Sequence, residues 1–315
     1  IQTAPHVPLI LRSSTLSLAS IGGLGLGSMA DQSSLGTWEV PRDSLNVFEK
    51  LSSGNFAEVW RGKWNKTRDV AIKKLKPGTM SPKEFLDEAV IMKQCRHDKL
   101  VRLYAVCSKE EPICIIIELM SKGDLLSYLR EGEGRNIDLA IMVDISAQIA
   151  SGMSYLEKHK LIHRDLTARN ILVGKNNIVK VAGFGMAKVL ENDEYIGEKD
   201  ANNPTKWTAP EAALYGKFTI KSDVWSYGIL LIEIVTKGCV PFAGMANREV
   251  LEIVNSGYRL PKPLDCPDSM YEMMLKCWDI KAENRPTFEF LFSFFYDYYI
   301  YTEPSRHHFQ QKTKP

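Results

Sequence analysis

The run His163-Arg164-Asp165-Leu166-Thr167-Ala168-Arg169-Asn170 sets a carboxylate, a guanidinium and an amide at spacings that chance rarely produces. Asp165 could accept the proton of a substrate hydroxyl and orient its oxygen, while Asn170, five residues on, would face a metal ion. Upstream, Asp69-Val-Ala-Ile-Lys-Lys-Leu75 alternates so that Ala71, Lys73 and Leu75 share one face of a strand. A charged lysine in an apolar row needs a partner. Alone, Lys73 reads as a lysine at the edge of a core; with a carboxylate beside it, it could hold nucleotide phosphates. Ser52-Ser53-Gly54-Asn55-Phe56-Ala57-Glu58-Val59 reads as a strand, a turn of small residues and a second strand, which would let backbone N–H groups approach phosphate. Only Gly54 remains of the three glycines of G-x-G-x-x-G-x-V, with Ser52 and Ala57 in the other places, so this segment alone is an ordinary hairpin.

The elements that must position these groups are legible around them. Ser81-Pro82-Lys83-Glu84 has a serine N-cap, proline at the first helical position and a glutamate three residues on, a capping box. It predicts a helix from Pro82 to about Cys95 that carries Glu88 one turn past Glu84, facing the sheet and Lys73. Val47 to Cys114 is otherwise largely strand-like, and a short apolar strand runs from Cys114 to Leu119. Beyond Gly123 the spacing turns helical, with Ile141, Ile145, Ile149 and Met153. Strands first and helices after predict an α+β fold of two lobes, joined near Glu118 to Met120 across a cleft. Residues 1 to about 36 carry only Arg12 and Asp31 as charged groups and are rich in Ser and Gly, including Ile21-Gly-Gly-Leu-Gly-Leu-Gly27, the composition of a flexible linker. Pro5 and Pro8 make a minimal P-x-x-P that could dock on a polyproline-binding module, though two prolines in a linker are more often just linker.

With 40 Lys and Arg against 38 Asp and Glu, the overall charge gives no reason to expect a nucleic-acid partner. Six scattered cysteines without a C-x-x-C pair read as reduced thiols of an intracellular protein. No apolar run approaches the roughly 18 residues of a membrane span. The expectation is therefore a cytoplasmic protein without a transmembrane segment. Because the chain opens on Ile1, it is expected to be a fragment, and any membrane association would come from sequence upstream.

Ala209-Pro-Glu211, Asp223 in Ser-Asp-Val-Trp-Ser, and Arg285 complete the set, with Glu211 and Arg285 expected as a partly buried ion pair that supports the site without doing chemistry. From Trp38 to Pro304 the sequence resembles the catalytic domain of Src-related non-receptor tyrosine kinases, most closely in Trp207 to Gly216 and Ile220 to Trp225. The resemblance implies a protein-kinase fold with a small β-rich N-lobe (38–120) carrying one regulatory helix and a larger, mainly helical C-lobe (121–301), between a linker (1–37) and a tail (302–315). It implies ATP and magnesium as cofactors, protein tyrosine as substrate, and regulatory protein partners. Ala168-Arg169-Asn170 and Pro204-Thr-Lys-Trp207 are the features that resemble tyrosine-specific members; Src itself puts the arginine two positions earlier. By the same resemblance Asp165, Lys73, Glu88, Arg169 and Asn170 are catalytic. Ser52, Gly54, Ala57, Val59, Ala71, Lys73, Ile117, Glu118, Met120 and Leu172 would surround the nucleotide, with Ile117 narrowing the back of the adenine pocket. Tyr195 would be a phosphorylation site answered by Arg164 and Lys188; its bland alternative is an exposed loop tyrosine. The Src pattern has a regulatory tail tyrosine two residues after Thr-Glu-Pro, but here Thr302-Glu-Pro304 is followed by Ser305-Arg306-His307-His308. Tyr298, Tyr299 and Tyr301 are expected to pack at a helix end.

One departure divides the functional reading. Where the family has Asp-Phe-Gly, this chain has Gly183-Phe184-Gly185, so the carboxylate that binds magnesium is missing and Asn170 alone keeps a metal contact. A loss of ~3 to 5 kcal/mol of metal stabilisation would slow transfer by about 10² to 10⁴-fold. The residues leave open a kinase with impaired turnover, a pseudokinase that scaffolds or activates a partner, and a one-base Asp-to-Gly change or sequence error in a competent enzyme.

Overall fold

The structure is a computed structural model that describes residues 32–190, 192–197 and 204–299. Nine-residue β1 (Leu45–Ser53) turns into β2 (Ala57–Trp64), which pairs with β3 (Arg68–Leu75) in uninterrupted antiparallel register. Then come α1 (Pro82–Gln94), β4 (Leu103–Cys107) and β5 (Cys114–Glu118), giving a five-stranded antiparallel sheet in the order β1-β2-β3-β5-β4. Alternation along the strands gives the sheet two apolar faces. Ala57, Leu75, Leu103, Val106 and Ile115 belong to the main core with α1, while Val70, Ile72, Ala105, Cys107, Cys114 and Ile116 form a second core against Trp60, Trp64 and Tyr104.

Helix α1 starts as its sequence predicts. The Ser81 side chain accepts from the Glu84 N–H, the Glu84 carboxylate accepts from the Ser81 N–H, and Pro82 opens the helix. Ahead of the strands, Gln32–Trp38 forms a 3₁₀ turn that packs on α1 and β4, with Leu35 buried. Pro5, Pro8 and the glycine-rich run lie outside the described residues.

The helical lobe contains α2 (Leu125–Glu131), α3 (Leu139–Lys158), α4 (Pro210–Tyr215), α5 (Ile220–Val235), α6 (Asn247–Asn255), α7 (Asp268–Cys277) and α8 (Phe288–Tyr296). Short strands β6 (Leu161–Ile162), β7 (Ile171–Val173), β8 (Val179–Val181), β9 (Lys188–Val189), β10 (Tyr195–Ile196) and β11 (Lys217–Phe218) pair as β6 with β9, β7 with β8 and β10 with β11. Helix α3, with 20 residues, is long and apolar enough to cross a membrane by length and composition, although Asp144 and Gln148 interrupt its apolar run. Its Ile145, Ile149 and Met153 are buried, and it packs on α8 and β8 as a core helix does. At the chain's far end Tyr298 is buried, bonded to Ser269 and set against Phe294 and Phe295, and Tyr299 meets it edge-on, as helix-end packing predicts. Tyr301 and the residues after Thr302 lie outside the described residues.

Candidate active site in the interlobe cleft

The cleft begins at the β1–β2 turn, where Ser52 stands opposite Val59 and the Gly54 N–H donates to the Ala57 carbonyl at 2.9 Å. A contact that the sequence reading missed fixes the tip. Lys76 Nζ donates to the Gly54 carbonyl at 2.7 Å, the Lys76 N–H to the Phe56 carbonyl at 2.9 Å, and Thr79 Oγ1 to the same carbonyl at 3.1 Å. One strand inward, Ala71 pairs with Ile117 on β5. Val59, Ile117 and Leu172 are half-buried.

The chain leaves β5 through Glu118, Leu119 and Met120. The Glu118 N–H is taken by the Arg102 carbonyl at 2.9 Å. Its carboxylate meets Lys180 of β8 at 2.7 Å, a charge pair across the lobe junction that the sequence did not announce. Beyond the junction Lys122 and Gly123 exchange hydrogen bonds with Val173, which brings β7 and Leu172 beside Met120.

Lys73 and Glu88 meet as expected. They form a direct ion pair, with Glu88 nearly buried on the inner face of α1 and Lys73 partly open to the cleft. Across the cleft, buried His163 donates its Nε2 hydrogen to the Ala182 carbonyl (2.8 Å), and its Nδ1 accepts from the Asp165 N–H (3.2 Å). This tautomer suits a ring that burial holds down to a pKa of about 4. Asp223 of α5 accepts the His163 and Arg164 N–H groups at 2.7 and 2.9 Å, holding Arg164 at φ 65°. Burial pushes Asp223 to about 7 despite those two bonds. Asp165 is likewise raised to about 6 by burial, opposed by the Asn170 amide and the Arg169 charge. That puts a proton acceptor near neutrality.

Glu233 is the residue that motif reading overlooked. Its Oε2 accepts from the Ala168 N–H at 2.9 Å and the Trp207 indole at 2.8 Å, tying the catalytic turn to the segment before α4. A lone acid inside the apolar run Ile229 to Val235 was the available signal. Arg169 is exposed and, with Trp207, Glu233, Leu126, Arg130 and Val240, lines a recess of about 340 Å³. Glu211 and Arg285 form the expected pair, bidentate at 2.6 and 2.9 Å, with Arg285 fully buried. Of the two cations assigned to Tyr195, Arg164 is brought to it, its guanidinium 4.8 Å from the ring centre while Nε donates to the Met186 carbonyl. Lys188 sits on β9 opposite Ile162.

The residues that should hold magnesium make an incomplete set. Phe184 is buried beside His163, so the turn keeps its packing, but Gly183 offers no side-chain oxygen. Asn170 Nδ2 donates to the Asp165 carboxylate (2.7 Å) and carbonyl (2.8 Å), which leaves its Oδ1, the atom that would ligate a cation, beside Gly183. A Cβ built at 183 would stand 2.5 Å from Asn170 Cγ and closer still to Oδ1. The amide thus lies in the space that an aspartate side chain would need. Among the described residues no group of three or more His, Cys, Asp or Glu converges as a metal site.

A strand-rich lobe carrying a paired lysine, set over a helical lobe carrying a buried His-Arg-Asp turn, defines a protein kinase domain. Residues 45–295 match the family described as protein tyrosine and serine/threonine kinase, and the chain belongs to that family. As a class such domains use ATP with magnesium to phosphorylate proteins.

Proposed function

We propose that this chain is a Src-related, non-receptor protein-tyrosine kinase whose turnover is impaired by Gly183. The observation that carries the reading is the pairing of Lys73 with Glu88 opposite the Asp165–Asn170 pair. Lys73 holds nucleotide phosphates, and Asp165 orients the acceptor hydroxyl and takes its proton. Tyrosine rather than serine as acceptor is supported by Ala168-Arg169-Asn170 and by the recess between Arg169 and Trp207, where a long, flat side chain has room. Phosphorylation of Tyr195 would add close to two negative charges over Arg164 and tie the activation segment to the catalytic turn.

A second reading, a pseudokinase that works as a scaffold or allosteric module, is favoured by the same Gly183 and by the amide packed into its space. The deciding assay is magnesium-dependent phosphorylation of a tyrosine peptide by the purified chain beside Gly183→Asp and Asp165→Asn. Slow transfer by the parent that Asp165→Asn abolishes is the expected result. Transfer by Gly183→Asp alone assigns the chain to the pseudokinases.

A further inference from the structure

The cation usually shared between nucleotide and protein has lost the carboxylate of position 183 here. Magnesium takes near-octahedral oxygen coordination and is normally held through carboxylates. Position 183 supplies none, and Asn170, with its nitrogen on Asp165, offers only a neutral amide oxygen in the space beside Gly183. Two ligands strengthen each other's binding only through contacts that differ between the singly and doubly bound states, and the coupling is reciprocal. If the metal binds nucleotide no more tightly on the protein than off it, the metal cannot make the protein hold nucleotide more tightly. Electrostatics act in the same direction. A carboxylate at 183 would repel bare phosphates until a cation screened it, and glycine removes that repulsion. Lys73, the β1–β2 turn and the Glu118–Met120 backbone are all in place without any metal.

We propose that this chain binds adenine nucleotide with an affinity indifferent to divalent metal, because no carboxylate at position 183 links metal to protein. The inference rests on the nucleotide-cleft reading above.

The test is titration of the full chain with a fluorescent ATP analogue, in EDTA and in millimolar magnesium, with thermal melting to confirm that each variant folds. The parent is expected to show dissociation constants within about threefold of each other in the two buffers. In Gly183→Asp, magnesium should tighten binding by about tenfold or more, within the usual range of coupling between sites. Residue 183 has φ 77°, a region that aspartate tolerates better than most residues, and the Asn170 amide must swing aside to admit it. Gly183→Ala displaces the amide without adding charge and should stay indifferent to metal, separating volume from charge. Lys73→Met should lose binding in both buffers. Tenfold tightening of the parent by magnesium overturns the inference and leaves the cleft reading intact. A Gly183→Asp variant as indifferent as its parent also overturns it, since residue 183 is then not the cause. A folded parent that binds nucleotide in neither buffer overturns the cleft reading and the inference together. The parent comparison decides the question even if Gly183→Asp is too strained to fold.

Discussion

In the proposed role of base, Asp165 trades stability for chemistry. Burial raises its pKa from 3.8 to about 6, so the folded state holds this proton more tightly than the unfolded chain does. The stabilisation that the proton provides is complete below about pH 4 and is lost as pH rises through 6; above that, the ionised carboxylate is a net burden on the fold. Asp165→Asn removes the burden while keeping the shape. It should abolish transfer yet raise unfolding free energy at pH 7.5 by about 1 to 3 kcal/mol, measured by urea denaturation. At pH 4 the stability difference should vanish. For the parent, transfer should fall about tenfold per pH unit below 6, because only the ionised form accepts a proton. A flat profile from pH 5 to 8 would remove Asp165 from the role of base.

Among the elements, α1 and the α4 segment were legible to different depths. The capping box of α1 depends on residues three apart, so Ser81, Pro82 and Glu84 announced it in full. Ser81→Ala should cost about 1 kcal/mol, seen as a lower melting temperature. The partnership of Glu88 with Lys73 was legible because strand and helix periods each point one charged side chain inward. Glu233 with Trp207, Lys76 with the β1–β2 turn, and Glu118 with Lys180 were not, because each joins residues whose approach only the folded chain decides. The Glu211–Arg285 pair was foreseen as partly buried; the structure buries its two halves unequally, with side-chain exposures of 19% and 0%. Glu211→Ala therefore leaves a guanidinium with no access to water and should cost about 3 to 5 kcal/mol. Arg285→Lys should not restore the bidentate geometry that the guanidinium fork provides.

At the scale of the molecule, hydrogen bonds and an ion pair bridge the two lobes. Besides the continuous chain at Glu118 to Met120, the segment before β4 exchanges hydrogen bonds with β8 of the other lobe, Val101 N–H to the Val181 carbonyl at 2.9 Å and Val181 N–H to the Lys99 carbonyl at 2.8 Å. Next to them Lys180 makes two bonds to Glu118, at 2.7 and 3.0 Å. Both partners are largely shielded, so this pair is screened less than a surface bridge, although the remaining exposure discounts it. Backbone bonds at Lys99, Val101 and Val181 are indifferent to side-chain identity and should persist in Lys180→Met. The lobes should then stay associated while the junction loosens. The expected loss is about 1 to 2 kcal/mol of unfolding free energy, at the lower end for a hydrogen bond to a charged group, with faster amide exchange confined to residues 118–123. Exchange that accelerates equally through α1 and β3 would mean that the Lys180 pair is a principal tie between the lobes. Unchanged exchange at 118–123 would mean that the backbone bonds to Val181 hold the junction unaided.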